Sequence, residues 1–140
     1  GSVAVRAGGK GDVTAANTLW NSRVSSYVAT PVLHDGFFYW VDDRGQAWCQ
    51  NAKSGEEVYR ERLPESGGGR PFYASPILAD GKVFCVSRRA GTFVFAATPK
   101  YEPLGVNKFA DDTDFNGTPA VVDGQMFLRS NAALYCIATP

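Results

Sequence analysis

The chain has 140 residues, with 14 lysines and arginines against 14 aspartates and glutamates. That length suffices for one domain with a real core, and balanced charge excludes a global field that would gather nucleic acid or an acidic membrane surface. No apolar run reaches the roughly 18 residues of a membrane-spanning helix, and no signal-peptide pattern opens the chain.

Gly1-Ser2 reads as an expression scar, so compartment stays open. Val3 and Val5 alternate weakly before a loop at Gly8 to Asp12. Gly8-Gly9-Lys10-Gly11 lacks the Lys-Ser/Thr pair and the helix that a phosphate loop needs. Thr18 to Arg23 is a short strand carrying Leu19 and Trp20.

From Tyr27 the sequence repeats itself. Pro31, Pro76 and Pro119 stand 45 and 43 residues apart, and Asp35-Gly36, Asp80-Gly81 and Asp123-Gly124 keep the same two spacings. Asp-Gly between short apolar runs is a strong hairpin signal. The first repeat (27–70) predicts strands over 29–34, 37–42, 46–51 and 57–63. The second (71–114) predicts them over 74–79, 82–87, 92–97 and 103–109. The third (115–140) predicts 118–122, 125–129 and 133–138 and lacks a fourth. The fold class is all-β, a β-propeller of four-stranded antiparallel blades, about three to a chain.

An open sheet edge invites pairing, and propellers remove it by completing one blade from both chain ends. Residues 1–26 are therefore expected to supply an orphan closing strand, with Leu19 and Trp20 beside Leu134 and Tyr135. Three blades cannot ring an axis with ordinary sheet packing. Closure is expected by self-association, six blades from a homodimer or nine from a homotrimer. A slice of a longer propeller fits the same pattern.

The motif Thr30-Pro31-Val32, Asp35-Gly36, Gly45, Ala52-Lys53-Ser54-Gly55 and Tyr59, with Ser75-Pro76-Ile77, Asp80-Gly81 and Gly91, resembles the PQQ-like, or quinoprotein-type, propeller repeat. In catalytic members this implies pyrroloquinoline quinone on the ring axis, with calcium held by carboxylate and amide side chains. None of those residues can be matched here. The vicinal cysteine pair is absent, and the fourth-strand Trp is Tyr59 in the first repeat and missing from the second. The resemblance therefore implies a non-catalytic scaffold or binding module with no cofactor, periplasmic or extracellular, with itself or another protein as partner. A fragment of a quinone-dependent dehydrogenase is the alternative.

Asp112-Thr113-Asp114-Phe115-Asn116-Gly117 comes close to a calcium loop, but the following residues align with a strand, so a solvated acidic loop is expected. The turns between second and third strands should share one face with the links entering each blade. That face collects Arg44, Arg88, Arg89 and Arg129, a candidate anion or small-ligand site, with Arg70 nearby and Asp42, Asp43, Asp111 and Asp112 opposing them. His34, the only histidine, reads as a turn residue. Cys49, Cys85 and Cys136 are odd in number and lie in predicted strands, so each is expected as a small buried filler.

Overall fold

A computed structural model describes residues 1–138. Blade 1 is the antiparallel meander β3 (Val32–His34), β4 (Phe37–Val41), β5 (Gln46–Asn51) and β6 (Glu57–Arg62). Blade 2 repeats it with β7 (Ile77–Ala79), β8 (Lys82–Val86), β9 (Thr92–Ala96) and β10 (Pro103–Asn107). Blade 3 has β11 (Ala120–Val122), β12 (Gln125–Arg129) and β13 (Leu134–Ala138). The Asp-Gly pairs make the first turn of each blade. Asp35, Asp80 and Asp123 hold φ of 46°, 48° and 48°, each followed by a positive-φ glycine, the backbone of a type I′ hairpin.

The second turn is held by one side chain in each blade. Asp42 Oδ1 accepts from the amides of Arg44 and Gln46, Ser87 Oγ from Ala90, and Ser130 Oγ from Ala132 and Ala133. Short polar side chains suit this place because they satisfy turn amides that no strand can reach.

The first strands are shorter than the sequence suggests, because the residues around each Ser/Thr-Pro bond across blades rather than within them. The Thr30 amide donates to Ser75 Oγ at 2.9 Å, and the Ser75 amide donates to Thr118 Oγ1 at 3.1 Å. One bond of the same kind thus ties each blade to the next.

The N-terminal segment departs from expectation. β2 (Thr18–Ser22) is not an orphan: it pairs antiparallel with β1 (Ser2–Val5), Ser2 opposite Ser22 and Ala4 opposite Trp20. Between them lies a single helical turn, α1 (Thr14–Asn17), whose Thr14 amide donates to Asp12. Four residues, Ser2, Val3, Ala4 and Val5, carry too weak an alternation to mark β1 as a partner in the sequence.

The main core lies between blades 1 and 2. Tyr39, Cys49 and Tyr59 meet Val83, Phe93 and Phe95, and the Tyr59 and Tyr101 rings close the outer edge at 5.5 Å. Burying that much aromatic surface is the dominant stabilising term. Between blades 2 and 3 the core is smaller: Ala74, Val86, Phe115 and Leu128, with the Phe109 and Tyr135 rings tilted against each other at 4.6 Å. Beside it runs an apolar cleft of about 800 Å³ lined by Phe84, Val121, Met126 and Ile137.

Candidate functional site

Strand direction places the second turn of each blade on the face where the links enter. The Arg88 amide donates to the Pro71 carbonyl, and the Arg88 carbonyl accepts from the Phe115 amide. Arg88 and Arg89 occupy that turn in blade 2, and both reach Asp114 on the link to blade 3. Arg89 Nε donates to Oδ1 at 2.5 Å, and Arg88 Nη2 donates to Oδ2. The Arg89 hydrogen bond, assisted by Arg88, holds the Asp114 carboxyl below the usual carboxylate range. Arg88 also lies 5.1 Å from the Tyr73 ring.

Asp114 is therefore buried and doubly bonded rather than part of a solvated acidic loop. Its neighbour Asp111 accepts from the Thr113 hydroxyl and from Tyr135 at 2.6 Å, and these bonds, Thr113's first, push its carboxyl far down. The two aspartates pin the link to blades 2 and 3, which leaves their oxygens occupied.

Arg88 and Arg89 line a recess of about 410 Å³ with Arg70, Gly67, Gly68 and Asp114. Arg70 pairs with Asp43 at 3.3 Å and stacks on Tyr27. Each guanidinium carries five donors, and Asp114 takes one from Arg88 and one from Arg89. Spare donors thus face a recess that could accept a carboxylate or phosphate. Arg44 and Arg129 do not line it; both are exposed, and among the described residues neither forms an ion pair. Arg70 was reachable from sequence only as a residue of the link.

The closure residues stand apart within this chain. Trp20 packs on blade 1, its Nε1 donating to the Ala52 carbonyl at 3.0 Å and its ring lying so close to Gly55 that a Cβ there would fall 2.5 Å away. Tyr135 packs in the blade 2–3 core. Leu19 and Leu134 are exposed, Leu134 by 69%.

The two outer faces of the described blades differ in kind. On blade 3 the face turned away from blade 2 carries Phe127, Leu134 and Cys136, in register with Tyr39, Ala47 and Cys49 of blade 1, which are all fully buried. Cys136 is exposed, unlike Cys49 and Cys85, so it is not the buried filler expected. Burial pushes the Cys49 thiol up to about 11 and the Cys85 thiol higher still.

The family described as outer membrane protein assembly factor BamB matches residues 9–98. Among solved structures, BamB from Moraxella catarrhalis is similar over 86% of this chain and 36% of its own, with 18% identity and a TM-score of 0.68. The quinohemoprotein alcohol dehydrogenase ADHIIG from Pseudomonas putida HK5 is similar over 72% of this chain and 16% of its own, with 20% identity and a TM-score of 0.57. This chain thus spans about a third of the first and a sixth of the second. No curated protein matches it by sequence. Asp-Gly hairpins at regular spacing, four-stranded blades and these likenesses agree, and the chain belongs to the PQQ-like β-propeller family whose description is outer membrane protein assembly factor BamB.

Proposed function

We propose that the chain is a non-catalytic propeller scaffold or binding module that closes into a ring by association of copies. The observation that carries this is the uncovered face of blade 3, where Phe127, Leu134 and Cys136 repeat positions buried in blade 1. An apolar face at such positions is an interaction surface rather than ordinary scatter. Light scattering at micromolar concentration should give twice or three times the 15.1 kDa of one copy. A monomer at every concentration overturns the reading.

Kinship to quinone-dependent enzymes requires a test of fit. The first strands, the position at which β3 meets β7, are apolar apart from His34. Among the described residues no three His, Cys, Asp or Glu side chains gather in one place. This segment therefore offers a calcium-bound quinone no carboxylate cluster, which supports the non-catalytic reading. Addition of the quinone with calcium should leave no protein-bound absorbance band, and a stable band would favour the dehydrogenase-fragment reading.

The Arg70, Arg88 and Arg89 recess favours a second reading, recognition of a small anion. Calorimetric titration with citrate or pyrophosphate should show binding that is lost in Arg88→Ala/Arg89→Ala; no heat with the native chain removes this reading.

A further inference from the structure

We infer that the free edge of β13 is the seat of β2 from a second copy, and that β1 stands in for that β13 while a copy is alone. This rests on the self-association proposed above and specifies its joint.

Register identifies the roles of the N-terminal strands. In blade 1 the third and fourth strands pair Ala47 with Glu61 and Cys49 with Tyr59. Tyr59 then reaches the third-to-fourth-strand turn of the next blade, where it meets Tyr101. Trp20 does the same to blade 1: it donates to Ala52 and lies on Gly55, in the turn between β5 and β6. β2 is thus a fourth strand already seated against its next blade. β1, which sets Ser2 opposite Ser22 and Ala4 opposite Trp20, occupies the place of a third strand.

It is a poor occupant of that place. β1 has four residues and a register shift between Ala4 and Val5, and it brings no first or second strand with it. Val3, Val5 and Leu19 remain 54% exposed. Among the described residues β13 is a third strand that pairs with no fourth, backed by β11 and β12. Superposing the two registers puts Leu134 opposite Ser22, Cys136 opposite Trp20, and Leu19 beside Ile137 at the rim of the apolar cleft.

The hydroxyl bonds between blades extend the same way. Among the described residues the Thr118 amide meets no next hydroxyl and Thr30 Oγ1 accepts from no preceding amide. With β2 seated on β13 of a neighbour, blade 1 follows blade 3 and the Thr118 amide faces Thr30 of the second copy. Two copies joined twice in this manner give six blades, within the usual range of about four to eight, through identical head-to-tail contacts that close.

Directly opposed residues of antiparallel strands are close enough to bridge when both are cysteine. Under mild copper-phenanthroline oxidation, Trp20→Cys should link to the native Cys136 and give a covalent species of doubled mass, whereas Asn21→Cys, on the other face of β2, should not. Ser22→Cys with Leu134→Cys tests the same register while keeping Trp20. Dimers that form without either link, but that link Val3→Cys to Cys136, would mean that faces stack with β1 in place; this overturns the exchange and leaves self-association standing. A native chain that stays monomeric in the scattering measurement, with no link in either variant, overturns both.

Discussion

Blades 1 and 2 meet through a packed aromatic core, whereas blades 2 and 3 meet through a small core, an open cleft and a set of ionic bonds. Register explains the difference. Tyr59 lies opposite Cys49 in blade 1, but the matching place opposite Val94 in blade 2 is Gly105, around which a Cβ would find nothing within 4 Å. The aromatic ring that closes the first joint is absent from the second, and Phe84 and Ile137 look into the space it leaves. Asp111 and Asp114 hold the second joint instead, through Tyr135, Arg88 and Arg89. Hydrophobic packing dominates one joint. Directional bonds to two carboxylates contribute more to the other, which should make it the more sensitive to acid.

The sharpest way to break this contrast is truncation on either side of blade 2. Phe95 is fully buried in the first joint, and Phe95→Ala should cost about 3–5 kcal/mol, read from the urea midpoint. Ile137→Ala removes a side chain that is 41% exposed beside the cleft and should cost less than about 1 kcal/mol. Equal losses would mean that the cleft is closed in solution. Next in size comes Asp42→Ala, which strips two turn amides and the Trp48 indole of their acceptor, a loss of about 2–3 kcal/mol that should also shift Trp fluorescence.

Acid should separate the joints. Asp111 and Asp114 titrate below the ordinary carboxylate value in the folded chain, so their contribution is complete above the unfolded value near ~4 and is lost as pH falls toward the folded one. Amide protection, corrected for the intrinsic pH dependence of exchange, should therefore fall in β12 and β13 as pH is lowered below that value, before it does in β4 and β5. Simultaneous loss would place the second joint's stability in packing instead.

Much of the fold was legible because turn chemistry repeats. Asp-Gly demanded positive φ at three positions, and all three have it. The limits of the first strands were not legible, since Thr30 and Ser75 look extended whether their amides bond inside a sheet or across to the next one. β1 is not legible in the sequence because Ser-Val-Ala-Val is short and its partner lies beyond a loop and α1. Site residues were harder still. Direction along a meander placed Arg88 and Arg89 on one face, but the sequence could not show that Asp114, two residues beyond Asp112 in an acidic run, turns inward to take both. Nor could it show that Arg44 and Arg129, at the corresponding places of blades 1 and 3, stand away from the recess. A charge run in sequence says nothing of which member is buried, because that depends on a link path fixed by tertiary bonds.

The smallest expected effect is also the cleanest comparison, because the same bond occurs at both joints. Ser75→Ala removes the acceptor of the Thr30 amide at the first joint, and Thr118→Val removes the acceptor of the Ser75 amide at the second. Both bonds are solvent-exposed, so water replaces the lost partner and each change should cost about 0.5–1 kcal/mol. If packing supplies the rigidity of the first joint, Ser75→Ala leaves amide exchange in β7 unchanged, while Thr118→Val speeds exchange in β11, where little else holds the blades in register. The reverse pattern, with the packed joint the more sensitive, would show that the hydroxyl bond and not the aromatic core sets the spacing of the blades.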